Sequence, residues 1–234
     1  MILCLETATS LCSVALCDRA GTVALKESGE NKSHASELTV FIEEILKETG
    51  IKAGELEAVA VSKGPGSYTG LRIGVSAAKG IAYAASIPLI SVCTTYSMFL
   101  GFSVAAKGKY TISKNDLFCP VLDARRMEVY YSVYSIAGTQ LKPVSAEIVE
   151  EGFPGISDIS GTIYIFGDGA AKCSDILLGG NMVFDAGFRV SAAYMRAAAY
   201  DALDLKRFED IAYFEPFYLK DFLATKPVKN ILGK

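Results

Sequence analysis

The stretch KGPGSYTGLRIG, Lys63–Gly74, holds four glycines and joins an apolar run to an amphipathic one. The run before it, LEAVAVSKG, has the short apolar character of a buried strand. After it, residues 71–85 have the pattern of a helix that ends before Pro88. Strand, glycine turn and helix in this order are typical of an α/β fold.

The glycines of this stretch do not fit the known phosphate motifs. A P-loop needs GxxxxGK followed by Ser or Thr, and the chain has no such run. Gly64, Gly66 and Gly70 give GxGxxxG, one residue away from the dinucleotide fingerprint. The end of the next strand, at Ser91 and Val92, has no acidic residue that could bind a ribose hydroxyl. Gly64 and Gly66 are therefore predicted to form the turn that leads into the helix.

A stripe of small residues follows on the predicted helix, at Gly70, Gly74, Ala78 and Ala82. Residues four apart share one helix face, so this face lets another backbone approach closely. A glycine inside a helix costs about 1 kcal/mol relative to alanine, so some packing must offset that cost. Periodicity leaves two interpretations open: the stripe packs on the chain's own sheet or preceding helix, or it contacts a helix of a partner.

The residues before the stretch predict the first part of the same unit. The first 28 residues form three apolar runs separated by polar corners, which indicates an antiparallel meander. A helix is predicted next, with Ser33 as its N-cap and an end near Gly50. Its apolar stripe consists of Leu38, Phe41, Ile42, Ile45 and Leu46. PLISVC adds a strand after the glycine helix, completing three strands, helix, strand, helix and strand.

The second half repeats this plan less regularly. Residues 94–106 are predicted to form a helix that leaves the first unit, and AAKGKYTISKND is the candidate boundary. DLFCPVLDA, MEVYYSVYS, QLKPVSAEIV and GTIYIFGDGA indicate strands, the last ending in a glycine turn. Residues 193–203 are an alanine-rich helix. A strand meander followed by strand and helix units thus occurs once in each half.

Composition limits the function classes. The 234 residues carry a net charge of -3, so no broad basic face for nucleic acid is expected, and any RNA would be reached through a partner. Glu6 interrupts the opening apolar run, which argues against a signal peptide. The apolar run Ile81–Cys93 is too short for a membrane span. Six cysteines without CxxC spacing indicate a reducing compartment, so a cytoplasmic protein without membrane attachment is expected.

Few residues offer catalytic chemistry. His34 is the only histidine, which argues against a two-histidine metal site and a histidine-based triad. No catalytic residue and no metal site are therefore predicted. In LETATS, Glu6, Thr7, Thr9 and Ser10 are candidate nucleotide contacts, and the alternative is a simple hairpin.

DARRMEVY is a second charged segment, and it holds Asp123, Arg125, Arg126 and Glu128 at a strand junction. The simplest interpretation is a solvated charge cluster around a turn. We treat Asp123, Arg125 and Arg126 as a structural motif.

Together, LETATSLCSVAL, SHASEL, KGPGSYTGLRIGVSAAKGIA, DARRMEVY and EPFYL resemble the TsaB (YeaZ) family of tRNA threonylcarbamoyladenosine biosynthesis proteins, in the glycoprotease-like superfamily. The match runs from residue 2 to about residue 220. It implies an actin-like, Hsp70-like ATPase (ASKHA) fold, α/β, with two related lobes of mixed sheet and helices. Residues 1–106 would form an N-terminal lobe that carries partner-binding helices, and residues 107–234 a C-terminal lobe.

The resemblance also implies a non-catalytic subunit that supports a catalytic paralogue, TsaD, as a heterodimer joined by the ATPase TsaE. Without TsaD the chain would form a homodimer, and tRNA would be reached indirectly. The chain alone would bind no cofactor, with ATP expected at the complex interface. The implied contact residues lie on the two helices: Leu38, Phe41, Ile42, Ile45, Gly70, Gly74, Ala78 and Ala82.

The chain departs from the family pattern at specific positions. Thr94 and Met98 stand where TsaD-like sequences carry the two metal-binding histidines, so the resemblance implies that this metal chemistry is absent. Glu6 replaces the usual Asp, and Lys220 replaces an Arg. Lysine lacks the two-pronged bond of arginine, which weakens the expected ion pair at Lys220. The tail adds Lys226, Lys229 and Lys234, for which a solvated end is expected.

Two other functions stay open. An independent ATPase or small-molecule kinase would use Glu6, Thr9 and Asp168 to bind Mg-ATP, although no intact phosphate signature is present. A peptidase is the weaker alternative, because the only histidine lies at a predicted helix cap.

Overall fold

The computed structural model describes residues 1–28, 34–150, 153–155, 160–177 and 180–220. The predicted N-cap Ser33 and the tail lysines Lys226, Lys229 and Lys234 lie outside these ranges.

The first half contains seven regular elements in the predicted order. They are β1 Ile2–Glu6, β2 Ser13–Cys17, β3 Thr22–Glu27, α1 His34–Thr49, β4 Ala58–Gly64, α2 Tyr68–Ala85 and β5 Leu89–Cys93. Helix α2 begins three residues earlier than predicted, because the Ser67 hydroxyl caps it by accepting a hydrogen bond from the Gly70 amide at 3.3 Å.

The second half begins with the predicted helix at residue 94. Its elements are α3 Thr94–Ala105, β6 Leu117–Asp123, β7 Glu128–Ser135, β8 Gln140–Ile148, β9 Ile163–Phe166, α4 Ala170–Ile176, β10 Met182–Asp185 and α5 Arg196–Asp204. Short 3-10 turns occur at Ala53–Glu55, Ala106–Gly108 and Ala192–Met195. The sequence pattern missed α4 and β10, which are only seven and four residues long.

Two five-stranded mixed sheets share one topology. The first sheet has the order β3-β2-β1-β4-β5 and the second β8-β7-β6-β9-β10. In each sheet the first three strands form an antiparallel meander. The fourth strand pairs in parallel with the first, and the fifth pairs in parallel with the fourth. This repeat confirms the prediction of two related lobes of mixed sheet.

Each sheet is covered on both faces. In the first lobe, α1 and α2 cover one face, where Leu38, Ile42 and Ile45 of α1 pack on strand residues such as Leu5 and Val61. The other face is covered by Ala192, Met195 and the alanines of α5. Burial on both faces explains why β1, β2 and β4 are nearly continuous apolar runs in the sequence, whereas the edge strand β3 is more exposed.

In the second lobe, α4 covers one face and α3 the other. Helix α3 supplies Phe102, whose ring stacks on Phe166 with centroids 3.8 Å apart. The predicted departure of this helix from the first unit is explained by this packing, because its aromatic side chains complete the second core.

The C-terminal part of the chain returns to the first lobe. We define residues 205–220 as the strap. The Glu209 amide donates to the Leu89 carbonyl at 2.8 Å, and Phe214 is buried in the first core. The predicted boundary assigned everything after residue 106 to the second lobe. The structure differs, because α5 and residues 205–217 pack on the first sheet, and the second sheet packs against α3 and α4.

A Gly-x-Gly turn follows the fourth strand of each sheet. Gly64 has φ +110° before α2, and Gly167 has φ +117° before α4. A Cβ at Gly64 would lie 2.7 Å from the Phe217 carbonyl of the strap, and a Cβ at Gly167 would overlap the Val121 carbonyl. Both positions therefore require glycine for its positive φ and for a close neighbouring backbone. The turn predicted at Gly64 and Gly66 is present.

Helix α2 lies directly on the end of the first strand. A Cβ on Gly70 would overlap the Thr7 carbonyl, and a Cβ on Gly74 would overlap the Thr7 hydroxyl. Ala78 and Ala82 continue this face and are fully buried. The small-residue stripe is thus a packing surface of the chain itself, which agrees with the first of its two interpretations.

We predict that Gly74→Ala lowers the free energy of unfolding by roughly 1 to 3 kcal/mol, because its methyl group would force α2 away from Thr7. The matched control on the same helix is Gly80→Ala, since nothing lies within 4 Å of a Cβ there. It is expected to raise the free energy of unfolding by up to about 1 kcal/mol. Urea denaturation measures both. Equal effects at the two positions would contradict the close packing.

Candidate functional site

The outer faces of α1 and α2 form a groove. Its volume is about 690 Å³. We call it the α1–α2 groove, and its lining residues are Ala35, Leu38, Thr39, Tyr68, Thr69, Arg72, Ile73, Ser76 and Ala77. Small and apolar side chains dominate, and Arg72 is its only charged residue. This shape and composition suit an apolar helix face of another protein.

The residues predicted to contact a partner lie mostly beneath this groove. Leu38, Ile42 and Ile45 are buried in the first core, and Phe41 is partly buried against it. Gly70, Gly74, Ala78 and Ala82 face the sheet. Of the eight predicted contact residues only Leu38 lines the groove, so the residue assignment needs correction: a partner on these helices would meet mainly exposed residues such as Thr39 and Ser76. That a partner binds these helices stays a prediction.

The end of β1 holds a buried acid. The Glu6 side chain is fully buried, and its Oε1 accepts hydrogen bonds from the Ala8 amide and the Ser62 hydroxyl, both at 2.7 Å. Its Oε2 and the Thr7 hydroxyl have no hydrogen-bond partner among the described residues. Burial raises the pKa of Glu6 to about 7, against the opposing effect of these hydrogen bonds.

Of the four predicted nucleotide contacts, only Ser10 has an exposed side chain. Thr7 lies under α2, Glu6 is fully buried beside Ser62, and the Thr9 hydroxyl accepts from the Leu11 amide at 3.2 Å. Direct contact of a ligand with Glu6 or Thr7 would require the surrounding structure to open. The nucleotide contact stays a prediction.

A cavity of about 850 Å³ lies between the two lobes and the strap. Cys93, Tyr134 and Gln140 line it, and polar contacts through the buried Thr95 link the end of β5 to the second lobe. Thr95 Oγ1 lies 3.3 Å from the Cys93 thiol and 3.3 Å from the Tyr134 hydroxyl, which accepts a hydrogen bond from the Gln140 amide at 3.4 Å. Lys63 and Phe217 are among its other lining residues.

None of the predicted site residues lines this cavity. Its walls come from strand ends, a hairpin and the strap, which are distant in sequence. The one available signal was EPFYL, Glu215–Leu219, which supplied part of the family resemblance but has no periodicity that could place it.

The charged motif DARRMEVY forms the β6–β7 turn. Asp123 and both arginines are exposed, while Glu128 is half-buried and pairs with Lys220 of the strap. Lysine at position 220, where the family pattern has arginine, therefore still forms an ion pair. The Asp123 amide donates to Asp168 at 3.0 Å, and burial raises the pKa of that carboxyl group.

The donor set for a metal is sparse. Within the described ranges, no group of three or more His, Cys, Asp or Glu side chains is arranged to hold a metal ion. Thr94 and Met98, which the family resemblance places at the positions of metal-binding histidines, are both buried, and Met98 lies among aromatic side chains. No helix in the described part of the chain has the length and apolarity to cross a membrane.

Comparison with known proteins agrees with the resemblance. A family model described as TsaD, tRNA N6-adenosine threonylcarbamoyltransferase, matches residues 28–217. The tRNA threonylcarbamoyladenosine biosynthesis protein TsaB of Escherichia coli is 35% identical over 133 residues, which cover 57% of this chain and 54% of that protein. TsaB of Haemophilus influenzae is 32% identical over 131 residues, covering 56% and 52%. The chain thus spans about half the length of these curated relatives, and its resemblance to TsaB is confirmed.

Solved structures show the same fold. YeaZ from Pseudomonas aeruginosa superposes with a TM-score of 0.80, at 22% identity, covering 93% of this chain and 99% of that one. The predicted actin-like, two-lobed fold is therefore confirmed.

We predict that Glu6 makes stability depend on pH. Its pKa is 4.5 in an unfolded chain and about 7 here, so between these values only the unfolded state loses the proton. The free energy of unfolding should therefore fall by about 3 kcal/mol as pH rises from 4.5 through 7. Glu6→Gln should remove this fall and be the more stable protein at pH 8, as measured by urea denaturation.

The control is Glu43→Gln, which changes an exposed acid on α1 and should keep the pH dependence of the unmodified chain. A Glu6→Gln curve parallel to that of the unmodified chain would show that Glu6 is already ionised in the folded protein.

Proposed function

The chain belongs to the TsaD family, tRNA N6-adenosine threonylcarbamoyltransferase, and we propose that it is a non-catalytic subunit in tRNA threonylcarbamoyladenosine synthesis. It would support a catalytic TsaD paralogue through α1 and α2. The observation that carries this proposal is the α1–α2 groove, whose small and apolar lining lies on the two helices that the family resemblance assigns to partner binding.

The absence of catalytic chemistry in this chain is part of the proposal. The single histidine and the buried Thr94 and Met98 support it, because a hydroxyl and a thioether inside a core cannot replace a pair of imidazoles. The metal-dependent step would then belong to the paralogue.

The geometry of the helices supports docking of a similar helix pair. The stripe faces inward, so α2 sits low on the sheet and leaves Thr69, Ile73 and Ser76 at the surface. Another helix can approach such a face closely because few long side chains stand in the way. A second copy of this chain presents the same surface, so we propose a homodimer where the paralogue is absent.

The ATPase TsaE is the proposed third component, and we place ATP at the interface of the complex. The independent kinase is the less favoured function, because its proposed ligand Glu6 is fully buried. Isothermal titration of the isolated chain with Mg-ATP separates the two, since micromolar binding with turnover would favour the kinase.

We predict that Ser76→Arg weakens binding to the TsaD paralogue at least tenfold, because a long cation would fill the groove from an exposed position. The matched control is Tyr83→Arg on the same helix, where the replaced side chain is 79% exposed and does not line the groove. Co-purification and calorimetric titration measure pairing, and circular dichroism checks folding.

The same variants test function in a reconstituted tRNA modification reaction. Ser76→Arg should lower product formation, and Tyr83→Arg should not. If omission of this chain leaves the reaction unchanged, the supporting role is refuted, and if Ser76→Arg pairs normally, the groove is not the interface.

A further inference from the structure

The β6–β7 turn has an unusual backbone. Arg125 and Arg126 are consecutive and both have positive φ, +68° and +51°. This left-handed region favours glycine and asparagine, and two adjacent arginines there are uncommon. Helix packing does not impose the arginines, because both side chains are exposed.

Hydrogen bonds fix the conformation of this turn. The Ala124 amide donates to the Glu128 carbonyl at 3.1 Å, and the Glu128 amide donates to the Arg125 carbonyl at 3.2 Å. The Asp123 carboxylate accepts from the Arg125 amide at 2.6 Å. The backbone thus places two neighbouring arginines at the tip of a hydrogen-bonded turn.

The acids of the turn are neutralised by lysines from elsewhere in the chain. Lys172 of α4 pairs with Asp123 at 2.5 Å, and Lys220 of the strap pairs with Glu128. Among the residues that the structure describes, neither Arg125 nor Arg126 has an ion-pair partner. The turn therefore carries two uncompensated positive charges at the surface of a chain whose net charge is -3.

We propose that Arg125 and Arg126 bind backbone phosphates of RNA. This inference rests on the proposed function, which makes tRNA the RNA concerned, and it adds a direct contact from this chain. Guanidinium groups match phosphate oxygens with two parallel hydrogen bonds. Both arginine side chains are exposed at the tip of the turn, and such a surface suits contact with an extended polyanion.

The test compares tRNA binding by the full chain and by its purified complex with the paralogue. The probe is a fluorescently labelled, unmodified tRNA transcript, followed by anisotropy over a range of salt concentrations. Arg125→Asn combined with Arg126→Gly removes both charges and suits the left-handed backbone, so the turn should persist. We expect about tenfold weaker binding, and a slope of log K against log salt that is smaller by roughly 1.5 to 2.

Two further variants separate charge from structure. Arg125→Lys with Arg126→Lys keeps both charges and should retain most of the binding. Lys206→Gly changes another exposed basic residue with positive φ, +53°, far from the turn in sequence, and should bind like the unmodified chain.

The outcomes are distinct. Equal tRNA binding and salt slope for the Asn-Gly variant would overturn the proposal, as would an absence of binding by the unmodified chain in both assemblies. A loss of pairing with the paralogue but not of tRNA binding would assign the arginines to an acidic protein surface and also overturn it. If the unmodified chain binds tRNA through the turn but does not pair with the paralogue, the proposed function fails while the RNA contact stands.

Discussion

The contact between α2 and the end of β1 is the constraint on which the first lobe depends. Gly70 and Gly74 have no side chain, and only for that reason can the helix backbone lie on Thr7. This approach covers Thr7, next to Glu6, which is itself fully buried and whose pKa is raised by that burial. It also determines which face of α2 points outward. One helix thus has a small inner face that packs on the sheet and an outer face that lines a groove.

The strap ties this junction to the rest of the molecule. The Phe217 amide donates to the Lys63 carbonyl at 2.7 Å, the Tyr218 ring lies 4.8 Å from that of Tyr68, and Lys220 reaches Glu128 in the second lobe. Three segments far apart in sequence therefore meet at one place. They are KGPGSYTG, DARRMEVY and EPFYL, which together with two N-terminal segments carried the family resemblance.

The sequence predicted the helices and strands better than it predicted which surfaces they pack against. Apolar periodicity located α1 and α2, because a helix on a sheet needs a one-sided stripe. The same periodicity could not say what the stripe of Gly74 and Ala78 packs against, since close approach to a strand and to a foreign helix require the same small residues. The strap was missed for a related reason: its contacts are backbone hydrogen bonds and single aromatic rings, which leave no repeat in the sequence. Helix α4 is too short to show one.

The repeated topology makes a comparison between the lobes possible. Glu6 and Asp123 end corresponding strands, β1 and β6, and a Gly-x-Gly turn follows the fourth strand in both lobes. In the first lobe the helix after that turn is eighteen residues long, and the acid at the end of β1 is fully buried. In the second it is seven residues long, and Asp123 remains exposed beside Lys172. One plan thus yields a buried acid at one strand end and an exposed acid at the other, so only the second lobe presents a charged strand end to a partner.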